Sequence, residues 1–246
     1  TKIHSVAGKM STYQSIISVR PFRNPHHTIS DTALVGGGTY PNPGEISLSH
    51  NGVLFLDELP EFKRNVLEVL RQPMEERKIT IARTKQTSEY PASFMLVAAM
   101  NPCPCGYYNH PTQACTCGLG AVNKYLNKVS GPLLDRIDIQ LEVVPVPFKE
   151  LSTLQEGESS ETIRKRVIAA RKIQQERFAG TKVRMNAKMT SKMINEYCKL
   201  DEESENLMKI AFEKYKISAR GYTRILKVAR TIADLDKSEN IKINHI

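Results

Sequence analysis

Gly52-Val53-Leu54-Phe55-Leu56-Asp57-Glu58-Leu59 is the stretch whose reading decides the fold. Val53 to Leu56 form an apolar run with no alternation, the pattern of a strand buried on both faces in a parallel sheet. Two adjacent carboxylates, Asp57 and Glu58, follow at once. In open α/β sheets, ligands sit at the carboxyl ends of the strands. An Asp there can hold a magnesium ion, directly or through water, and the Glu beside it can orient a water against a terminal phosphate. The octapeptide has the form of a Walker B segment. Its alternative is a strand that ends in a solvated acidic turn.

A second apolar run, Phe94 to Ala99, also ends in a polar residue, Asn101. Two such strands side by side would bring Asp57, Glu58 and Asn101 to one edge of a sheet, where an amide can hydrogen-bond the attacking water or a phosphate oxygen. A third strand is expected over Ile137, Ile139, Leu141 and Val143, which alternate with Asp138, Gln140 and Glu142. Between the first two runs, Pro60 suits the start of a helix, since its missing N–H is one the helix would leave unpaired. Phe62, Val66, Leu67, Leu70 and Met74 then recur at helical spacing. Lys78 to Arg83 alternates as a strand does, and the polar stretch after it points to a hairpin with Arg83 and Lys85 near its tip.

Upstream, Thr1 to Arg20 reads mostly as helix, broken by Pro21 to His27. His26 and His27 read as a solvated loop. Gly36-Gly37-Gly38 and Pro41-Asn42-Pro43-Gly44 mark an exposed, turn-rich insert. Glu45 to Ser49 alternates like one arm of a hairpin. Downstream, Pro145-Val146-Pro147 ends the strand-bearing half, and from about Ser159 the pattern is helical. Ile163, Val167 and Ala170 form one stripe, Leu207, Ile210 and Ala211 another, and Tyr222, Ile225, Ala229 and Ile232 a third. These patterns divide the chain into an α/β core over residues 1–150 and a small helical domain over 151–246. The second would carry a basic face of Arg164, Lys165, Arg166, Arg171 and Lys172.

The 246 residues are 40% hydrophobic, enough for one large domain or two modest ones, and carry a formal charge of +9. That excess suits a nucleic-acid partner but is also common on solvated surfaces. No apolar run reaches membrane-spanning length and no signal peptide is evident, so a cytoplasmic setting without membrane contact is expected. In that setting cysteines are metal ligands or free thiols more often than disulfides. Four of the five cysteines, Cys103, Cys105, Cys115 and Cys117, lie on one Pro/Gly-rich loop. Four thiolates can close a tetrahedral zinc site, although the one-residue gap within each pair is shorter than the usual two to four. His110 could replace one ligand, and reduced thiols or disulfides formed on storage are the other readings.

A nucleotide hydrolase with this Walker B also needs Gly-x-x-x-x-Gly-Lys-Ser/Thr, whose backbone N–H groups cradle the phosphates. The nearest match, Gly8-Lys9-Met10, has Ile3 in the first glycine's place and Met10 in that of Ser/Thr. That half of the phosphate site is therefore expected upstream of Thr1 in a longer parent.

Four motifs occur in order: Gly44 to Leu59, then Ala98-Ala99-Met100-Asn101-Pro102-Cys103-Pro104-Cys105-Gly106, then Ser130-Gly131-Pro132-Leu133-Leu134-Asp135-Arg136-Ile137-Asp138, and Ser218-Ala219-Arg220-Gly221-Tyr222. Together they resemble the magnesium-chelatase-like AAA+ ATPases, and within them the bacterial competence-protein group. The resemblance implies a P-loop-type parallel sheet followed by a helical lid, using ATP and Mg2+. It makes Asp57 and Glu58 the Walker B pair, Asn101 the sensor 1 amide, Arg136 an arginine finger given to a neighbouring subunit, and Arg220 the sensor 2 arginine of the lid. The segment from Pro25 to Ser49 resembles a hairpin insertion of this branch. That from Ile79 to Ser93 resembles the hairpin lining its central pore, where Arg83 and Lys85 could meet a DNA backbone.

The family is hexameric, and its competence members are linked to DNA branch migration. On this reading the chain is the ATPase module of a ring-forming motor and, without its phosphate loop, is expected neither to bind ATP tightly nor to hydrolyse it. Two other readings stand beside it: the motor subunit of a true magnesium chelatase, and a basic DNA-binding module with no chemistry.

Overall fold

The computed structural model describes residues 1–10, 15–38, 40–83, 86–146 and 157–246, with Arg83 and Gln86 by their backbone alone. In chain order the elements are α1 (Lys2–Val6), β1 (Phe22–Arg23), α2 (Asp31–Val35), β2 (Gly36–Gly37), β3 (Asn42–Pro43), α3 (Glu45–Leu48) and β4 (Val53–Leu56). Then come α4 (Arg64–Glu68), α5 (Arg71–Glu76), β5 (Lys78–Arg83), β6 (Gln86–Pro91), β7 (Met95–Ala98), α6 (Leu119–Leu126) and α7 (Gly131–Leu134). The remaining helices are α8 (Ser160–Arg177), α9 (Ser191–Tyr197), α10 (Glu202–Tyr215) and α11 (Ala219–Leu235). The chain separates into two compact units, Thr1–Pro145 and Val146–Ile246.

The first unit is α/β, built on a parallel sheet in the order β1-β4-β7. Phe22 pairs with Val53, and Val53 to Leu56 run in register with Met95 to Ala98. The short strand β1 lies where the sequence read only a break. It forms because Gly52 lets the chain pass close: a Cβ there would stand 1.9 Å from the Pro21 carbonyl oxygen. That oxygen accepts the Val53 N–H at 2.9 Å. Leu54 and Leu56 are fully buried against Phe62, Val66, Leu67 and Leu70, the apolar face expected after Pro60. That stretch folds as a 3-10 turn at Leu59–Glu61 and two short helices rather than one long one.

Several expectations need correction. The central strands are not buried on both faces. Val53 and Phe55 are half-covered, and Met95 and Val97 on β7 are exposed, because among the described residues no second layer covers that side of the sheet. Ile137 to Val143 form no strand: Ile139, Leu141 and Val143 are exposed, and an alternating segment without a described partner strand has no ladder to join. The amino-terminal helix ends after Val6, in a turn where Gly8 takes a positive φ of 64°.

Glu45 to Leu48 is a helix, not a hairpin arm. The glycine-rich insert is a two-residue-deep hairpin of β2 and β3 whose base is buried, between the fully buried Leu34 and Ile46. Gly36 is required there: its φ is 114°, and a Cβ would lie 2.3 Å from the Asn42 carbonyl oxygen. Arg23 clamps α3 to the sheet through a two-pronged bond to Glu45, at 2.5 and 2.7 Å. The β5–β6 hairpin is as expected, with Arg83 opposite Gln86 at its closed end. The Arg83 side chain and Lys85 lie outside the described residues.

The second unit is helical. Four helices each begin with a side chain that accepts a backbone N–H of the first turn: Ser159, Thr190, Asp201 and Ser218. Its core holds Phe178, Met189, Ile194, Leu226, Ala229, Ala233 and Ile241. Of the three expected stripes, that of α11 supplies Ala229 to this core, with Tyr222 packed against it and Ile232 exposed, and that of α8 buries only Ala170. Ile163 and Val167 on α8, and Ile210 on α10, remain exposed. At its centre Asp234 is fully buried between Arg177, at 2.5 Å, and Arg230, at 3.2 Å. The Asn186 amide also donates to it, at 2.7 Å.

Candidate functional site

The register of β4 against β7 sets the geometry of the site. Leu56 lies opposite Ala98, so Asp57-Glu58 and Ala99-Met100-Asn101 leave the sheet at the same carboxyl edge. Two backbone bonds continue the ladder past the strands: Ala99 N–H donates to the Leu56 carbonyl at 2.9 Å, and Leu59 N–H to the Ala99 carbonyl at 3.0 Å. Asp57, Glu58 and Asn101 are all exposed at this rim. The Asp57 carboxylate accepts the backbone N–H of Glu58 at 2.9 Å, which fixes its rotamer and leaves further oxygen lone pairs directed outward.

Glu58 stands in the left-handed backbone region, with φ 52° and ψ 46°. That conformation costs a residue with a side chain on the order of 1–3 kcal/mol and persists where surrounding structure imposes it, often at functional sites. The imposing contacts here are the Ala99–Leu59 bond and a 2.7 Å bond from Glu61 N–H to the Glu58 carbonyl.

The sequence reading missed one member of this edge. β1 is parallel to β4, so the chain leaving β1 also emerges at the carboxyl rim. His27 is there, not in a detached solvated loop. Its Nδ1 meets the Glu58 carboxylate at 2.9 Å, its ring lies tilted against His26 with centroids 4.0 Å apart, and it meets the Phe62 ring edge-on. The signal that could have placed it is the apolar-basic pair Phe22-Arg23 before Asn24-Pro25, too short to read as a strand.

The other expected residues are carried by other elements. Arg136 follows α7, its side chain only 12% exposed, paired with Glu75 of α5 at 2.5 Å and bonded to the Pro132 carbonyl oxygen. Among the described residues its Nε has no hydrogen-bond partner. Arg220 is exposed in the first turn of α11, in the second unit. There the capping Ser218 accepts the Gly221 N–H at 3.1 Å.

The cysteines converge. The sulfurs of Cys103, Cys105, Cys115 and Cys117 all lie within 4.8 Å of one another, the one group of at least three metal-ligating side chains found among the described residues. Such proximity splits their acidities. A backbone N–H from Tyr107 pulls the Cys105 thiol down to about 5. Cys115 is pushed up to about 12: the Cys117 N–H favours its thiolate, but desolvation and the Cys105 and Cys103 sulfurs outweigh it. His110 does not join them. Its Nδ1 is taken by the Thr112 and Gln113 backbone N–H groups, at 3.2 and 3.1 Å.

A three-stranded parallel sheet joined in the chain to a helical unit is consistent with an AAA+-like core followed by a helical domain. The chain belongs to the magnesium chelatase ChlI family. Residues 1–151 match the family described as magnesium chelatase, subunit ChlI, and residues 157–246 match its C-terminal part.

Among its relatives are the uncharacterized protein YifB of Escherichia coli, 48% identical over 228 residues, and the competence protein ComM of Haemophilus influenzae, 49% identical over 234. A Mycobacterium tuberculosis protein, Rv2897c, is 39% identical over 236 residues. These alignments cover 92–96% of this chain but 44–46% of the relatives, so the chain spans about half their length. Among the described residues no helix is long and apolar enough to cross a membrane.

Proposed function

We propose that this chain is the ATPase module of a cytoplasmic, ring-forming motor that acts on DNA. One observation carries the reading: Asp57, Glu58 and Asn101 leave two adjacent parallel strands at the same carboxyl edge. Exposed carboxylate oxygens are the donors magnesium takes, so Asp57 suits a Mg2+–ATP partner. The bound ion would neutralise phosphate charge. Glu58 would accept a proton from, and aim, the attacking water, with Asn101 hydrogen-bonding the same water or the terminal phosphate. His27, already on the Glu58 carboxylate, would hold that side chain in place until the water and nucleotide arrive.

The remaining roles follow from family membership. ATP would lie between subunits of a hexamer, with Arg136 reaching a neighbour's phosphates in competition with Glu75. A guanidinium suits this because it is planar and permanently charged. Arg220 would close a lid formed by the helical unit. The +9 charge and the β5–β6 hairpin favour a DNA backbone as the partner that is moved. The competence protein among the relatives points to the same class of partner.

The test uses the protein extended to the length of its relatives. Asp57→Asn should weaken magnesium-dependent ATP binding, and Asn101→Ala should lower turnover by about 100-fold or more, the usual cost of a lost transition-state donor. Wild-type turnover in both variants would overturn the assignment.

A further inference from the structure

The loop from Pro102 to Gly118 runs between β7 and α6 with turns but no regular element of its own. A loop this long needs something to hold it. Its apolar contribution is small: Cys103 is its one fully buried side chain. What the loop does bring together is its four sulfurs.

Their spacing is informative. Four ligands 2.3 Å from a central zinc, at the corners of a tetrahedron, are about 3.8 Å from one another. Cys103 lies 3.3 Å from Cys105 and 3.7 Å from Cys115, and Cys105 lies 3.5 Å from Cys115. A disulfide would need about 2.05 Å. The backbone closes around the sulfurs as well: the Cys115 thiol reaches the Cys117 carbonyl oxygen at 3.9 Å. Such outer contacts hold ligands in orientation. With His110 Nδ1 occupied in the loop, the ligand set is all sulfur. Soft thiolates in tetrahedral array select zinc or iron over magnesium.

We propose that Cys103, Cys105, Cys115 and Cys117 bind one structural zinc ion, and that this ion is the staple of the loop. A closed four-sulfur set has no open position for a substrate, which makes the site structural rather than catalytic. Because the loop starts directly after Asn101 and ends at α6, the ion would also fix the far side of the Asn101 segment.

The test needs only this 246-residue chain, prepared without chelators, and is independent of ATP turnover. Elemental analysis should find about one zinc per chain, as a single four-cysteine site requires. Cobalt titrated into metal-free chain should give the visible bands of a tetrahedral thiolate complex. Cys103→Ser with Cys115→Ser should abolish both, and Cys198→Ser, in the second unit, should leave both unchanged. Zinc removal should speed hydrogen exchange over residues 102–121 and leave α8 to α11 as they were. If the paired variant fails to fold, the cobalt spectrum of the unaltered chain decides alone. Iron in place of zinc, no retained metal with four freely titrating thiols, or an octahedral cobalt spectrum would each overturn the proposal.

Discussion

Asp57 and Asp234 are the same side chain in opposite settings. Asp234 is fully buried on α11, where Arg177, Arg230 and Asn186 take up its oxygens. Asp57 is exposed on the rim of the sheet and accepts one backbone N–H from its neighbour. A charge that serves the fold is satisfied from within, because an unpaired buried charge is prohibitive. On the proposed reading Asp57 serves a ligand, and such a charge must keep its oxygens open. Glu58 adds to the contrast: it holds a strained backbone conformation at the rim, whereas Asp234 sits in a regular helix.

The largest expected effect lies on the buried side. Asp234→Ala leaves two arginines without their anion and should cost about 3–5 kcal/mol in denaturant unfolding of the second unit. Burial alone would raise the Asp234 pKa, but its bonds to Arg177 and Asn186 and the arginine charges outweigh this and hold it below the ordinary value. Its stabilisation is therefore present above the unfolded value of about 3.9 and is lost as pH falls through the lower folded one. The variant should accordingly lose part of the wild-type stability gain on going from strong acid to pH 5. Equal stability of variant and wild type would erase the distinction.

A middle-sized effect is expected at His27. In the extended protein His27→Ala should slow turnover by about tenfold, equivalent to about 1.4 kcal/mol. His27→Asn, which keeps a hydrogen-bonding group, should recover part of it with KM little changed. Identical rates for the two variants would remove His27 from the positioning of Glu58. The smallest effect sharpens the contrast most. Asp57→Ala should change stability by less than about 0.5 kcal/mol, as surface substitutions do. A loss comparable to that of Asp234 would show that Asp57 is structural.

The sequence carried the elements whose signal is local. The apolar run of β4, the Phe62-to-Leu70 face, the β5–β6 hairpin and the helical character of the second unit were legible. What failed depended on partners distant in the chain. β1 is two residues long and exists through its pairing with Val53 and Leu54. Ile137 to Val143 has the alternation of a strand and no described neighbour to pair with. The Asp57, Glu58 and Asn101 edge could be read because two apolar runs end in polar groups. The His27 contact and the left-handed Glu58 could not, since both arise from register across the sheet.

The most direct measurement compares ATP binding and ATP turnover of Glu58→Gln in the protein extended to the length of its relatives. Replacing the carboxylate by an isosteric amide removes the proton acceptor and leaves size and packing alone. The expected result is nucleotide affinity within about threefold of wild type, the usual context scatter for an interaction that is kept, with turnover reduced by at least about 100-fold, the lower bound for loss of general-base catalysis. Turnover at the wild-type rate would contradict the assignment of this sheet edge as the site of hydrolysis.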